Sequence, residues 1–193
     1  MNKTLCRALT AVYRAFCRVY HPVAVEGAGN LPKEGAAIVF ANHQNLQDPL
    51  VLCSFLPRPI FFMAKKELFK NRLFARALDQ LGAFHVARGE LDMSAIRTSL
   101  SVLKNGEVLG IFPEGHRYTD GEIHAAGNGV SLIALRSGAP VVPARIRGSY
   151  KPFRKIRVTV GAPVDISDIG PRADANALRA ATSRFMDALK ALD

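Results

Sequence analysis

Cysteine is scarce in this chain of 193 residues, and its three cysteines show no pattern of a shared site. Cys6, Cys17 and Cys53 are odd in number, and no two of them form a C-x-x-C pair. This excludes a disulfide-rich secreted scaffold and argues against a zinc site built on paired cysteines. We expect reduced thiols in a protein that faces a reducing compartment.

Long apolar runs are also absent from the sequence. A helix that crosses a bilayer needs about 20 predominantly apolar residues, and no such run occurs. The N-terminal residues are basic, but no apolar core and small-residue cleavage site follow, so they do not resemble a secretory signal peptide. The sequence therefore predicts a protein without a spanning helix that stays on the cytoplasmic side of the membrane.

Acidic residues are in the minority. Lys and Arg number 26 against 16 Asp and Glu, which gives a formal net charge of +10. A surface this basic favours polyanions, either nucleic acid or an anionic bilayer, and charge alone does not choose between them. Apolar residues make up 49% of the chain, a globular composition that excludes a disordered protein.

No acidic residue precedes Glu26, and the basic segment of residues 3–20 has two unlike faces. At about 100° per residue, a helix here places an apolar stripe opposite a basic face. The stripe comprises Leu5, Leu9, Val12, Phe16 and Val19, flanked by Tyr13 and Tyr20, and the basic face comprises Lys3, Arg7, Arg14 and Arg18. Two interpretations stay open: the stripe packs into the core, or the helix lies on a membrane surface.

The remaining residues, 21–193, contain no linker, low-complexity segment or repeat, so we expect one domain behind an N-terminal helix within residues 1–20. Short β-type runs alternate with helical runs. The predicted strands are 22–26, 36–41, 59–63, 84–87, 108–112, 140–146 and 156–161, and the predicted helices are 48–56, 66–81, 92–105, 128–137 and 173–192. This alternation predicts an α/β fold with a mostly parallel central sheet flanked by helices. The run 36–41 is apolar on both faces, which suits a central strand.

The segment NHQNLQDP follows strand 36–41 and separates His43 from Asp48 by five residues. Asp48 precedes Pro49 and an apolar helical run, so it could simply cap a helix. The two roles are compatible, because a fixed, ionised carboxylate at a helix start suits a residue that orients an imidazole. Since the loop leaves the carboxyl end of a strand, where open α/β sheets place their sites, His43 is a candidate general base.

A second segment, VLGIFPEGHR, runs from an apolar strand into Pro113 and ends at Arg117. Pro and Gly punctuate ordinary turns, so a plain surface turn is one interpretation. It leaves unexplained why a carboxylate and a guanidinium stand together at a strand end. Glu114 could contact hydroxyls of a substrate, and Arg117 could grip a phosphate as a bidentate fork.

Together the two segments resemble those of the glycerolipid acyltransferases of the 1-acylglycerol-3-phosphate type. FFMAKKEL at 61–68 and GAFHVARG at 82–89 resemble the middle motifs of that family, and GAPVVPARIRGS at 138–149 resembles its last motif. The five motifs occur in order and span roughly residues 36–150. The resemblance implies transfer of a fatty acyl chain from acyl-CoA or acyl-carrier protein to the free sn-2 hydroxyl of 1-acylglycerol-3-phosphate, giving phosphatidic acid, in phospholipid biosynthesis.

The resemblance also assigns roles to particular residues. It implies that His43 is the catalytic base and Asp48 its orienting partner. It places Glu114 and Gly115 in the acceptor site, and it has the acceptor phosphate held by Arg117, Arg88 and Lys65. A surface strand-end arginine and a solvated lysine are the alternative interpretations of the last two. Pro143 would shape the site, and neither a metal nor a cofactor is expected.

Several positions depart from the family pattern. His116 stands where the family commonly has Thr, Asn45 where it commonly has Ser, and the lysine often found before the helix near residue 128 is missing. These changes touch recognition of the acceptor, so another lysolipid such as lyso-ornithine lipid stays an alternative to lysophosphatidic acid.

Two interpretations from other functional classes stay open. A hydrolase would need a serine nucleophile, but no G-x-S-x-G elbow is present. A noncatalytic basic module would bind lipid or nucleic acid and would leave Glu114 without a role; no helix-turn-helix or RNA-binding signature supports it. We therefore expect a lysolipid, an acyl donor and an anionic membrane as partners, no nucleic acid, and a peripheral position on the cytoplasmic face.

Overall fold

Parallel strands form the centre of the protein in the computed structural model, which describes residues 3–65, 72–80, 82–86, 93–170 and 173–192. The strands are β1 (Val23–Glu26), β2 (Ala37–Ala41), β3 (Ile60–Lys65), β4 (Ala83–Val86), β5 (Val108–Ile111), β6 (Val141–Gly148) and β7 (Ile156–Val160). The α-helices are α1 (Lys3–Tyr20), α2 (Asp48–Phe55), α3 (Arg72–Gln80), α4 (Met93–Lys104), α5 (Gly129–Ser137) and α6 (Ala175–Lys190). Each observed strand and helix coincides with a predicted element to within a few residues. Parts of the predicted elements lie outside the described ranges, namely residues 66–71, 81 and 92 of the predicted helices and residue 87 of a predicted strand.

The seven strands form one sheet in the order β1-β7-β6-β2-β5-β3-β4. All neighbouring pairs are parallel except β6 and β7, which are antiparallel. The physical reason is the short connection between β6 and β7, because a parallel return needs a crossover of a dozen or more residues. The predicted α/β fold with a mostly parallel sheet is confirmed, whereas this one reversal was not predicted.

Two layers of apolar side chains cover the sheet. Val39 and Ala41 of β2 belong to the core shared with α2, whereas Ile38 and Phe40 belong to the core shared with α4, α5 and α6. All five residues of β2 are buried, because successive side chains of a strand point to opposite faces and both faces are covered. The prediction that this strand is central is confirmed.

The N-terminal helix α1 packs against α2 through its smaller residues. Cys6, Thr10 and Cys17 are buried, and all three cysteines of the chain are free thiols. The apolar stripe of α1 points elsewhere: its exposed fractions run from 37% at Leu9 to 73% at Val19. Of the two interpretations of this helix, packing of the stripe into the core is therefore not what the structure shows.

The parallel arrangement decides where a functional site can form. β5 lies beside β2 in parallel register, with Phe40 opposite Ile111. The loops that leave the carboxyl ends of these two strands therefore start at the same edge of the sheet. One loop carries NHQNLQDP and the other carries PEGHR, so two motifs about seventy residues apart in sequence emerge side by side.

Candidate active site

The chain leaves β2 through Asn42, whose side chain fixes the start of the first loop. Its amide nitrogen donates to the carbonyl of Ile146 at 2.9 Å, and its amide oxygen accepts from the Ile146 N–H at 2.7 Å. The backbone hydrogen bonds between β2 and β6 end near this point, and the side chain of Asn42 continues the pairing with β6. The next residue, His43, is held at the sheet edge as a result.

His43 and Asp48 lie in direct contact in the structure. The His43 Nδ1 atom is 2.8 Å from Asp48 Oδ2, with Asp48 fully buried and the His43 side chain 17% exposed. An ionised carboxylate can only accept, so Nδ1 carries the proton in this bond. The lone pair of the neutral ring is then on Nε2, at the other side of the imidazole, where a base must have it.

Asp48 accepts more than the histidine bond. Its Oδ2 atom also receives the backbone N–H groups of Gln44 and Asn45, both at 2.7 Å. These donors precede Asp48, and α2 begins with Asp48 itself after Gln47 as its N-cap residue. The interpretation of Asp48 as a helix cap is therefore wrong in detail. Its carboxylate binds N–H groups of the loop that precedes α2 and not the first N–H groups of the helix.

The fourth hydrogen bond to Asp48 comes from a residue that the sequence did not indicate. The hydroxyl of Tyr150 donates to Asp48 Oδ1 at 2.5 Å, across 102 residues of chain. Burial raises the pKa of Tyr150, so this hydroxyl remains a protonated donor. The position directly after the last motif, GAPVVPARIRGS, is the only signal in the sequence that could have drawn attention to it.

An aromatic stack supports the other side of the imidazole. The ring of Phe112 stacks on His43 with centroids 4.2 Å apart, and Phe62 stacks on Phe112 at 5.3 Å. Gly110 makes room for this stack, since a Cβ atom there would lie 2.1 Å from the Phe62 ring. The glycine of VLGIF is thus required by packing under the site.

Glu114 joins the two loops. One of its carboxylate oxygens accepts the His43 N–H and the other accepts the His124 N–H, each at 3.2 Å. Burial raises the pKa of Glu114, while these two N–H donors act in the opposite direction. The residue therefore braces the base loop in this structure, and the expected contact with acceptor hydroxyls stays a prediction.

Of the other predicted acceptor residues, Gly115 and Arg117 follow Glu114 in the same loop. Gly115 is exposed and has φ of 65°, a left-handed conformation that glycine adopts without strain. Arg117 is exposed and forms no hydrogen bond or ion pair within the described part of the chain. Lys65 ends β3, but its side chain is outside what the structure describes, and Arg88 lies outside the described residues altogether.

A second histidine and aspartate pair occupies the loop after Arg117. His124 Nε2 is 2.7 Å from Asp120 Oδ2, and the His124 ring stacks on Tyr118 with centroids 3.6 Å apart. Both members of the pair are substantially exposed, unlike His43 and Asp48. Within the described ranges, no group of three or more His, Cys, Asp or Glu residues is arranged to hold a metal ion.

Comparison with known proteins places this geometry in a family. The Acyltransferase family model matches residues 22–147, which include both loops of the site. The chain is 32% identical over 177 residues to the 1-acyl-sn-glycerol-3-phosphate acyltransferase of Bacillus subtilis (strain 168), covering 89% of this chain and 88% of that protein. The enzyme of the same name from Streptococcus pneumoniae (strain ATCC BAA-255 / R6) is 32% identical over 139 residues, covering 68% of this chain and 51% of its own length.

A solved structure shares the architecture. The crystal structure of the 1-acyl-sn-glycerophosphate (LPA) acyltransferase PlsC from Thermotoga maritima superposes with a TM-score of 0.72 and 26% sequence identity. The match covers 98% of this chain and 78% of that one, so it includes nearly every element described above. The resemblance inferred from five motifs is confirmed: the chain belongs to the Acyltransferase family and is an acyl-transferring enzyme.

Proposed function

We propose that the protein transfers a fatty acyl chain from acyl-CoA or acyl-carrier protein to the free sn-2 hydroxyl of 1-acylglycerol-3-phosphate, giving phosphatidic acid. The observation that carries the proposal is the His43 and Asp48 pair, 2.8 Å apart at the carboxyl edge of the sheet. The acceptor is inferred from the names of the related enzymes, which specify 1-acyl-sn-glycerol-3-phosphate.

In the proposed reaction His43 acts as a general base. Its Nε2 atom takes the proton of the acceptor hydroxyl while the oxygen attacks the thioester carbonyl carbon. A C–O bond forms, the C–S bond breaks, and the departing thiolate receives the proton back from the imidazolium. General base assistance of this kind contributes about 10²–10⁴ in rate. Asp48 holds the ring in the productive tautomer and stabilises the imidazolium.

The acceptor phosphate is assigned to Arg117 and Arg88, with Lys65 as a third cation. Arg117 supports this assignment because it is exposed beside the base loop and has no partner within the described residues. A guanidinium binds a phosphate through two parallel N–H bonds, which fixes orientation as well as charge. No cofactor is needed, since the thioester donor supplies the activated acyl group.

The enzyme would bind an anionic membrane through α1 on the cytoplasmic face. No helix among the described residues has the length and apolarity to span a bilayer. The exposed stripe from Leu5 to Val19 supports interfacial binding, in which such a stripe enters the boundary between headgroups and acyl chains. The net charge of +10 favours this anionic surface, and the names of the related enzymes favour a lipid acceptor over nucleic acid.

Identification of the product tests the proposed function. Purified enzyme would receive radiolabelled acyl-CoA or acyl-carrier protein together with lysophosphatidic acid, lyso-ornithine lipid, another lysophospholipid or no acceptor. We expect labelled phosphatidic acid, identified by mass spectrometry, only in the presence of lysophosphatidic acid. Labelled ornithine lipid would instead assign the alternative acceptor. Free fatty acid alone would indicate a hydrolase, and absence of any turnover would leave a binding module.

Replacement of Asp48 by Asn tests the base assembly. The amide keeps one oxygen for the three nitrogen donors that now bind Oδ2, and its NH₂ group can only donate, so the Tyr150 hydroxyl must turn to accept and the other three bonds lose their charge assistance. We expect the free energy of unfolding to fall by about 1–3 kcal/mol. We also expect kcat to fall by about 10²–10⁴, because the histidine loses its tautomer and orientation. Thermal melts and steady-state kinetics measure the two effects.

The matched control is Asp120→Asn, which makes the same substitution in the exposed pair with His124. It should leave the melting temperature close to that of the wild type, because both members of this pair are exposed. Normal kcat in a folded Asp48→Asn enzyme would be incompatible with the proposed role of Asp48.

Replacement of Arg117 by Ala tests the phosphate assignment. Loss of charge-assisted hydrogen bonds should raise KM for a phosphorylated acceptor by the equivalent of about 1.5–3 kcal/mol, with a smaller change in kcat. Arg88→Ala should act in the same direction. Arg136→Ala, in the last turn of α5 away from the site edge, is the control. An equal loss of activity with phosphorylated and unphosphorylated acceptors would remove Arg117 from the phosphate site.

Replacement of apolar residues in α1 tests the membrane link. Leu9→Glu and Phe16→Glu place a charge in the exposed stripe, so the melting temperature should stay close to that of the wild type while vesicle flotation is lost. Ala11→Glu adds the same charge at an exposed position on the basic face, so it should lose only the electrostatic contribution of one charge, about 1 kcal/mol, and keep the apolar contact. Unfolding of both stripe variants would instead show that the stripe packs inside the protein.

Reversal of charge tests the electrostatic part of that link. Arg7→Glu with Arg18→Glu is the suitable pair, because the Arg14 guanidinium donates to the Ser54 carbonyl at the end of α2. Each basic residue near an anionic surface contributes about 1 kcal/mol, and salt weakens the effect. Flotation of the double variant should fall most at low ionic strength. Undiminished flotation would exclude electrostatic anchoring by these residues.

A further inference from the structure

The turn between β6 and β7, residues 149–155, carries the most exposed large apolar side chain of the described chain. Phe153 is 81% exposed, more than any residue of the α1 stripe. Its backbone is also unusual: φ is 60°, and Phe153 is the one non-glycine residue with positive φ in the described ranges. Bulky residues rarely adopt this conformation, and strain of this kind accumulates at functional sites.

This strained residue is fixed next to the end of α1. The Phe153 N–H donates to the carbonyl of Tyr20, the last residue of α1, at 2.6 Å. Tyr20 in turn stacks on Phe16, with ring centroids 4.9 Å apart. Three partly or largely exposed aromatic residues therefore follow one another from the stripe of α1 to the tip of the turn.

Basic residues surround the exposed phenylalanine. Lys151, Arg154 and Lys155 are all exposed, and the turn contains no acidic residue. Arg7 and Arg18 stand farther from the apolar stripe, because they lie on the opposite side of α1 at about 100° per residue, and they act on an anionic surface by longer-range attraction. The turn is thus the place where cations stand beside exposed apolar side chains. An anionic bilayer offers both an acyl-chain boundary and negatively charged headgroups.

We propose that the 149–155 turn is a second membrane-binding site, in which Phe153 enters the headgroup boundary and the three flanking cations bind anionic headgroups. The proposal rests on the membrane association of α1 described above and adds a contact at the carboxyl end of the helix. Two contacts would fix the orientation of the enzyme on the surface. With α1 as the only contact, the enzyme could still rotate about the axis of that helix.

The first test replaces Phe153 by Gly and measures vesicle affinity and thermal stability together. Glycine adopts positive φ without strain, so the melting temperature should stay the same or rise. Affinity for vesicles of phosphatidylcholine with phosphatidylglycerol should fall by about tenfold, because the apolar contact is lost. A decrease in affinity therefore cannot be attributed to unfolding. Unchanged affinity would overturn the proposal.

The second test uses the absence of tryptophan from the chain. Phe153→Trp introduces a single tryptophan, whose emission should shift to the blue on these vesicles and be quenched by brominated lipid. Met93→Trp, at an exposed position of α4 on the other face of the sheet, should show neither effect. Flotation of the Phe153→Trp variant without quenching of its indole would overturn the turn contact alone, whereas failure of the wild-type protein to float would overturn membrane association itself.

A separate contact carries a second inference, which rests on the proposed acyl transfer. Tyr150 donates to Asp48 Oδ1 at 2.5 Å, and its ring meets the fully buried ring of His21 edge-on at 5.4 Å. His21 directly follows α1, and its ring also packs against Tyr13 and Tyr20. Tyr150 therefore lies between the end of α1 and the Asp48 carboxylate that orients His43.

We infer that Tyr150 is a positioning residue for the His43 and Asp48 pair. Its hydroxyl occupies the one Asp48 oxygen that the base loop does not use, which fixes the rotation of the carboxylate. The other oxygen is then aimed at His43 Nδ1 and at the two backbone N–H groups of the loop. Without the hydroxyl the carboxylate can rotate, and the imidazole loses its fixed direction.

Tyr150→Phe keeps the ring and removes only this bond. We expect kcat to fall by about tenfold with KM within about twofold, because the base and not the acceptor site is disturbed. The NMR resonance of the His43 Nδ1 proton should broaden or shift. Tyr13→Phe is the matched control, since that half-buried hydroxyl donates to Gln47 Oε1 at 2.9 Å and not to Asp48.

Equal kcat values for the two variants, or an unaltered His43 resonance in Tyr150→Phe, would overturn the positioning role. A lower melting temperature alone would do the same, because it would reduce Tyr150 to a packing residue. Should the wild-type enzyme show no acyl transfer, the proposed function fails, and the histidine resonance still decides the role of Tyr150.

Discussion

The buried carboxylate of Asp48 is the constraint around which the rest of the site is organised. A charge removed from water is costly unless donors surround it, and here two backbone N–H groups, an imidazole and a phenol do so. These donors come from the loop after β2 and from the turn after β6. Satisfying one carboxylate therefore draws distant parts of the chain together and fixes the direction of the His43 ring.

The other residues in contact with His43 also fix its position. Phe112 fixes the plane of its ring, and Glu114 holds its backbone from the neighbouring loop. Both residues leave the carboxyl end of β5, so parallel pairing of β2 and β5 is what makes these contacts possible. A base that is held from several directions before substrate arrives has little reorganisation left to undergo in the reaction, which is how positioned groups lower a barrier.

Most of the fold could be predicted because its signals are local. Alternating apolar runs predicted the strands and helices, and Gly138 ends α5 with φ of 64°, a conformation that glycine adopts without strain. The pairing of His43 with Asp48 could also be predicted from the sequence, because only five residues separate them. The bond from Tyr150 to Asp48, the brace formed by Glu114 and the exposure of the α1 stripe were not, because each depends on which surfaces meet after folding. The antiparallel β7 was missed for the same reason.

The proposed acyl transfer depends on His43 as its general base. The most direct measurement compares His43→Ala with the wild type, using the rate of phosphatidic acid formation and a thermal melt of each protein. A general-base role for His43 predicts a kcat lower by about 10²–10⁴ in a protein that melts close to the wild-type temperature. Near wild-type turnover in a folded His43→Ala enzyme would contradict it.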